Sequence, residues 1–261
     1  TGFNYLSKFI LAPFPLWVYQ TDAFTVKRKI FMIHNSNTSC VLYDIRCRKE
    51  GAILKIFPLI NSRNFHYTTR AADLSFSQKA NPMGVEIESS NGFYLSLSSN
   101  LQYYPDPKWY YNFEYDMEKE RGLNFQEDNF SPGYFESKLK PGTSRFFIVA
   151  STENMSSLNL EKVDELYTRE VYRQNLLAFN SKFTEPFALE LLRATDPFVI
   201  KNPSSGDTTL IAGYHWFADW GRDTMISLPG LLLIPRRFEE AKHILKNFAN
   251  HSRRGLIPNA F

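Results

Sequence analysis

Near Glu153 the apolar residues of this chain change their spacing, from alternation before it to every third or fourth position after it. Side chains alternate along a strand and recur at 3.6 residues along a helix, so the change predicts a β half followed by a helical half. Before it, the runs 26–33, 39–46, 52–59, 84–89, 93–98 and 144–151 are short, rich in β-branched and aromatic residues, and bounded by Asn, Ser, Gly and Pro. Strands in close succession with no helix between them predict an antiparallel β-sandwich. An aromatic content of 16% supports a thick core between its sheets. Ser89-Ser90-Asn91-Gly92, between two of these runs, predicts a type I′ hairpin turn, because Asn-Gly takes the positive φ that such a turn demands. Pro132-Gly133 and Pro141-Gly142 punctuate the last strands.

After Glu153, the recurrence of Leu158, Glu161, Val163, Leu166, Val171, Leu176 and Leu177 predicts a helix over 159–179, with Ser157 as its cap. A second helix begins near Thr184, whose hydroxyl caps it, with Glu185 and Pro186 in the first turn and Phe187, Leu189, Leu191 and Leu192 turned inward. Asp207 and Gly206 lie in a polar loop. Asp223 or Thr224 opens a third helix, bent where Pro229 removes a backbone donor. Residues 237–250 form a fourth, with Phe238, Ala241, Leu245 and Phe248 on one face and Glu239, Glu240, Lys242 and Lys246 on the other. The expected division is therefore a β domain over 1–155 and a helical one over 156–261. Periodicity alone allows the latter to be a small bundle.

With 261 residues, 43% hydrophobic and 22% charged, the chain can bury one large core or two modest ones. Its 30 basic and 27 acidic residues are mixed without a run of five or six like charges, so charge argues for neither nucleic acid nor membrane. The apolar stretch 226–234 contains Pro229 and Gly230 and falls short of the roughly 20 residues that span a bilayer. Cys40 and Cys47 match neither a zinc site nor a secreted disulfide scaffold, and are expected to be reduced, structural and cytosolic; a strand-to-strand bridge between them stays open. No signal peptide is visible, in a chain that begins mid-pattern. His34, His243 and His251 lack partner spacing and read as surface or capping residues.

Residues 211–226 interleave Tyr214, Trp216, Phe217 and Trp220 with His215, Asp219, Arg222 and Asp223, and carry Gly213 and Gly221 where a backbone must turn or admit a neighbour. Aromatic faces beside an Arg fork and short carboxylates suit a ligand with apolar CH faces and a hydroxylated rim, which describes a sugar ring. The same residues also fit a buried aromatic turn with a structural Asp–Arg pair. Two further spots pair cations or rings with carboxylates. Arg63, His66 and Arg70 read as a satisfied polar corner at a strand end or as a polysaccharide contact. Residues 106–128, with Trp109, Tyr110, Tyr111 and Phe113 among Glu114, Glu118, Glu120, Arg121, Glu127 and Asp128, allow the same two readings.

Residues 212–231 resemble the signature of the glycogen debranching enzymes of the amylo-α-1,6-glucosidase type, in the single-activity form of bacteria and archaea. Arg237-Phe238-Glu239-Glu240-Ala241, Ile244-Leu245, Phe248-Ala249 and Gly255-Leu256-Ile257-Pro258-Asn259 continue the likeness, and the stretches 58–66 and 120–128 resemble motifs of the family's N-terminal domain. The resemblance implies an α+β multidomain protein, an antiparallel β-sandwich followed by the first helices of an (α/α) six-hairpin toroid. It also implies cytoplasmic removal of single α-1,6-linked glucose stubs from glycogen or related α-glucan in glycogen catabolism, by water attack with inversion, without metal or organic cofactor. The partner is the α-glucan, with no nucleic acid or membrane. The resemblance assigns Trp216, Asp219, Trp220, Arg222 and Asp223 to substrate binding and places the general acid and base after Phe261. Relatives extend beyond both ends, so the chain is expected to be an internal fragment and inactive alone.

Asp219 and Asp223, four apart, would have Cβ atoms about 5–6 Å apart on a helix and could be read as a retaining pair, whose carboxyl groups stand about 5–5.5 Å apart. That reading is rejected, because in the related toroid enzymes the adjacent Arg and Asp resemble a sugar-holding device. A glucoamylase- or dextranase-like α-glucosidase, or a non-catalytic α-glucan-binding module, are the alternatives.

Overall fold

The computed structural model describes residues 2–11, 13–81, 84–153, 158–202, 206–214 and 217–259. The chain divides into two compact units, Thr1–Thr168 and Arg169–Phe261. The first holds β1 (Leu6–Ile10), β2 (Leu16–Gln20), β3 (Phe24–Met32), β4 (Thr38–Cys47), β5 (Ala52–Ile56), β6 (Phe76–Asn81), β7 (Gly84–Ser89), β8 (Tyr94–Ser99), β9 (Gln102–Glu114), the short helix α1 (Asp116–Glu120), β10 (Gln126–Leu139), β11 (Gly142–Ser151) and the start of α2 (Leu160–Ser181).

Eight strands form a large antiparallel sheet in the order β1-β2-β3-β4-β11-β8-β7-β6, and three form a second, β5-β10-β9. Register decides which face each side chain serves. Phe146 and Ile148 of β11 join a core shared with Tyr103, Phe130, Phe135 and Leu139 of the smaller sheet. Phe147 and Val149 point the other way, to Phe31, Leu42, Leu158 and Val163 at the start of α2. With both faces covered, β11 reads Phe-Phe-Ile-Val without polar alternation. Cys40 and Cys47 lie on the one strand β4 and serve the opposite cores. Seven residues at about 3.3 Å each put them roughly 23 Å apart, far beyond the Cα separation of about 7 Å that a disulfide tolerates. Neither cysteine forms a disulfide.

Several local expectations need correction. The β7–β8 hairpin forms, but Glu88 pairs with Tyr94 and Ser89 N donates to Phe93 O, which leaves a three-residue loop. Gly92 has φ +84° while Asn91 is not in the left-handed region, so the turn is not type I′. The Asn91 amide is drawn instead to Ser62, donating to its carbonyl at 2.9 Å and accepting from its hydroxyl at 2.9 Å. Pro132-Gly133 does not interrupt a strand: β10 runs through it with a shift of register between Ser131 and Gly133. Gly133 has φ +152°, a Cβ there would stand 2.2 Å from Tyr104 O, and the Tyr103 hydroxyl donates to the Pro132 carbonyl at 2.8 Å. β9 escaped the sequence reading because it contains Pro105 and Pro107; as an edge strand it tolerates both.

Glu127 and Asp128 stand beside the second register shift of β10 and are buried. Glu127 accepts from the Arg63 guanidinium at both oxygens, from the Tyr115 hydroxyl at 2.5 Å and from Thr69 N at 3.1 Å. Asp128 accepts from Ala71 N at 3.0 Å and Asn112 N at 2.9 Å, with Arg70 at 3.8 Å. The cluster around Arg63 and Arg70 is thus a satisfied polar corner, while His66 is exposed beside Phe65. Burial pushes the Glu127 carboxyl up, but the bonds from Arg63, Tyr115 and Thr69 outweigh it and hold it below the usual carboxylate range. The backbone donors of Ala71 and Asn112 hold Asp128 low as well. A carboxyl depressed in the folded state contributes stability that is present above its unfolded value, about 4, and lost as pH falls through its folded value. The urea midpoint of the first unit should therefore fall between pH 5 and the folded values of these groups, and fall less steeply in Glu127→Gln. A midpoint independent of pH over that range would contradict it.

The second unit contains the end of α2, α3 (Pro186–Thr195), β12 (Val199–Lys201), β13 (Thr208–Gly213), β14 (Phe217–Asp219), α4 (Gly221–Leu228), a π-helical turn (Pro229–Leu233) and α5 (Phe238–Asn250). A small antiparallel sheet, β12-β13-β14, thus lies between the second and third expected helices, where a polar loop and no strand were expected. Ser157 lies outside the described residues; Asn159 Oδ1 accepts from Lys162 N at 2.8 Å and caps α2. α3 is capped by Glu185, not Thr184, through Ala188 N at 2.9 Å. Leu192 is its buried residue, whereas Phe187 and Leu191 are exposed. In α5 the inward residues are Ala241, Ile244 and Phe248, with Phe238 and Leu245 on the outside. The packed stripe follows Ala241, Ile244 and Phe248 at spacings of three and four, one position away from the expected Leu245. These three close a core with Val199, Leu210, Leu228 and Leu232.

Candidate functional site

The residues singled out by their mixture of rings and charges fall on a strand, a corner and a helix. β13 and β14 pair through Ile211 with Asp219 and Gly213 with Phe217. Trp220, with extended backbone, is the N-cap of α4, so the helix begins at Gly221, earlier than the expected Asp223 or Thr224. His215 and Trp216 lie outside the described residues.

The start of α4 is held by a segment far along the chain. Gly221 N donates to Asn259 O at 2.8 Å and Arg222 N to Asn259 Oδ1 at 2.9 Å, so one asparagine satisfies two of the unpaired donors of the first turn. A Cβ at Gly221 would stand 2.6 Å from Pro258 O and 2.9 Å from Phe248 Cε1. The approach that this glycine admits is that of Pro258-Asn259.

Asp223, in the first turn, lines a groove of about 360 Å³ with Phe198, Leu210, Ile211, Thr224, Ser227 and Leu231 among its walls. Its Oδ2 is buried without a hydrogen-bond partner among the described residues, and so is the hydroxyl of Thr224. Arg222 stands 3.6 Å from that oxygen, beyond hydrogen-bond reach, with most of its side chain in solvent. Trp220 is 37% and Phe217 50% exposed, and they meet edge-on at 6.2 Å. Tyr214 is exposed too. Asp219 closes β14 while Asp223 belongs to α4, so helical spacing does not relate the two carboxylates. Among the described residues no group of three or more His, Cys, Asp and Glu is placed to share a metal ion, and no helix is long and apolar enough to cross a membrane.

One wall of the groove is anchored by charges the sequence reading passed over. Asp196 is 3% exposed and bonds Arg173 at 2.7 Å, Gln174 at 2.9 Å and Arg237 at 3.0 Å; Arg173 also holds Glu170, and Arg237 holds Glu240. Burial opposes the charge on Arg173, but Asp196 and Glu170 outweigh it and raise its pKa. Next to Asp196, the Pro197 carbonyl accepts the Tyr214 hydroxyl and the Phe198 ring meets Tyr214 edge-on at 5.7 Å. Burial, then the nearby Asp196 charge, pushes the Tyr214 hydroxyl up.

Comparison with known proteins places these elements. Residues 1–146, more than half of the chain, match the family model described as "Glycogen debranching enzyme N terminal". The chain belongs to the glycogen debranching enzyme family. A second family model, "Amylo-alpha-1,6-glucosidase", matches residues 193–261. The glycogen debranching enzyme of Saccharomyces cerevisiae is 31% identical over 99 residues, which cover 38% of this chain and 6% of the yeast protein. The chain thus spans a small part of that relative's length. Within this debranching-family chain, the second match takes in the groove, Asp196, Arg237 and both sides of the Gly221–Asn259 contact. Of the site residues expected from the sequence, Asp223 lines the groove, with Arg222 and Trp220 next to it along the chain and Asp219 at the strand end before them. Phe198, Thr224 and Asn259 were missed: one is a ring, one a buried hydroxyl and one a cap, and none stands out by residue type.

Proposed function

We propose that residues 193–261 carry the glucose-holding part of an amylo-α-1,6-glucosidase site, and that the protein removes single α-1,6-linked glucose stubs from trimmed glycogen or related α-glucan. The observation that carries the reading is Asp223 Oδ2 in the groove, buried with no hydrogen-bond donor among the described residues and with Arg222 at 3.6 Å. A buried acceptor oxygen without a donor is costly unless a ligand supplies one, and a glucose hydroxyl does so. The apolar wall of Leu210, Ile211 and Leu231 suits the CH face of the ring. Arg222 donates to a neighbouring hydroxyl through its fork, and Trp220 with Phe217 offers ring faces for the adjoining sugar; Trp216 and Asp219 join the same set. Asp223 positions the sugar rather than moving its proton, a role that contributes substantially to the barrier reduction. The general acid and base are placed after Phe261, the attack is by water with inversion, and no metal or organic cofactor takes part. In this reading 1–155 is the β-sandwich domain, 156–261 opens an (α/α) toroid, and the enzyme is cytoplasmic.

In the complete enzyme, Asp223→Asn should lower kcat/KM by about one to two orders of magnitude, the equivalent of a charge-assisted hydrogen bond worth roughly 1.5–3 kcal/mol. Both limbs of the pH profile should remain, and Arg222→Lys should behave alike because an ammonium cannot replace the planar fork. Loss of one limb, with rescue by an activated aryl glucoside, would make Asp223 the general acid instead. Glucose release from limit dextrin but not from linear maltooligosaccharides supports debranching over a glucoamylase-like activity; binding without release supports a glucan-binding module.

A further inference from the structure

The corner that satisfies Glu127 keeps an open side. There the loop 61–64 and the β7–β8 hairpin enclose a cleft of about 340 Å³, with Asn61, Ser62, Arg63, Asn64, Asn91 and Phe93 among its walls. This is the lower end of the sizes that hold small ligands. Asn91 and Ser62 exchange the two hydrogen bonds that join hairpin to loop, and the Asn61 side chain ties the start of the loop to Ser62 N at 2.8 Å, Thr69 Oγ1 at 2.6 Å and Asp128 O at 3.0 Å. The walls are therefore set before any ligand arrives.

Within this frame several donors stay unused. Of the five N–H groups of the Arg63 guanidinium, two go to Glu127 and a third is directed at the Asn64 carbonyl at 3.4 Å, which leaves two with no acceptor among the described residues. The Asn64 side-chain oxygen accepts from His66 N at 2.9 Å, while its Nδ2 has no acceptor among the described residues. One N–H of Asn91 Nδ2 is likewise left over after the bond to Ser62 O. Arg63, Asn64 and Asn91 are all exposed and Phe93 is half-buried, so a ligand in the cleft can reach them. The cleft offers an anion little charge, because Glu127 takes the guanidinium at both oxygens and neutralises it. An anion would also have no use for the Phe93 ring. A neutral sugar uses both features, its hydroxyl oxygens accepting from the amides and the guanidinium while a CH face lies on the ring.

We propose that the cleft between Arg63-Asn64 and Asn91-Phe93 is a second α-glucan subsite, which holds a linear stretch of the polymer on the first unit. Membership of the glycogen debranching enzyme family makes an α-glucan the neutral sugar polymer at hand. The subsite does not depend on the function proposed for the groove of the second unit. The test is isothermal titration calorimetry of the full chain with maltoheptaose. Wild type should bind, and Asn64→Ala and Phe93→Leu should each weaken binding about three- to tenfold, the worth of one hydrogen bond or one stacked ring. Asn64→Ala alters an exposed side chain and should move the urea midpoint little. If Phe93→Leu lowers that midpoint, Asn64→Ala decides alone. Asp223→Asn should bind maltoheptaose like wild type, and sulfate at matched ionic strength should not compete. The subsite is refuted if the wild-type chain does not bind maltoheptaose, if Asn64→Ala binds it like wild type, if sulfate displaces it, or if binding is lost in Asp223→Asn alone. The last result would leave the groove's function standing. Weakened maltoheptaose binding by Asn64→Ala, with no glucose released from limit dextrin by the complete enzyme, would do the reverse.

Discussion

Asp196→Ala is expected to lower the stability of the second unit by about 3–5 kcal/mol, the cost of removing one partner from a buried charge network. Asp196 is the acceptor shared by Arg173 of α2 and Arg237, the N-cap of α5, and it opens the turn that carries Phe198 into the wall of the groove. Without it, Arg237, 8% exposed, keeps Glu240 and Arg173 keeps Glu170, but both lose the carboxylate they share, and Gln174 Nε2 loses its acceptor. The urea midpoint of the transition that reports on residues 169–261 should shift accordingly. Asp196→Asn should cost less, because it keeps an acceptor oxygen. A control distinguishes lost pairing from lost packing: with Arg173→Met and Arg237→Met added, part of the stability should return, since an apolar replacement of an entire buried network is often near neutral. A midpoint unaltered by Asp196→Ala would mean that the network contributes nothing to the fold.

Gly221→Val should cost about 2–5 kcal/mol and disable the groove as well. The glycine is not required here by a left-handed φ but by proximity, since Pro258 O and Phe248 Cε1 would stand 2.6 and 2.9 Å from a Cβ. Over-packing of this kind costs about 1–3 kcal/mol. Moving Pro258-Asn259 aside also removes both acceptors from Gly221 N and Arg222 N, a capping loss of about 0.5–2 kcal/mol. Because the displaced turn carries Arg222 and Asp223, kcat/KM of the complete enzyme should fall even below the temperature at which the variant unfolds. Asn259→Ala isolates the side-chain cap: it should lose only the smaller amount and leave Gly221 N bonded to the residue 259 carbonyl. If Gly221→Val and Asn259→Ala proved equally mild, close packing would not be the reason for glycine at 221.

How much of this was legible beforehand depends on how local the encoding is. The antiparallel strands of the first unit and the helices of the second could be read because spacing along one segment reports which of its faces is buried. β11 could be read as a strand from the β-branched and aromatic residues in 144–151, but that both its faces are buried depends on α2 and the smaller sheet, which are separate segments. β9 was hidden by two prolines that only an edge position excuses, and Asn91 left the expected turn type because Ser62 offered its amide better partners. In the site, the mixture of rings, Arg222 and Asp223 singled out the stretch that contains the groove residue Asp223, and the glycine at 221 announced a close approach without saying by what. That the neighbour is Asn259, that Arg63 belongs to Glu127 and that Asp196 belongs to Arg173 and Arg237 could not be read, because partners 23 to 64 residues apart are chosen by the packing of whole elements. Sequence spacing determines which side of an element turns inward; the tertiary fold determines whom it meets there, because hydrogen bonds and ion pairs form over a few ångströms whereas the chain between the partners is free to take many paths.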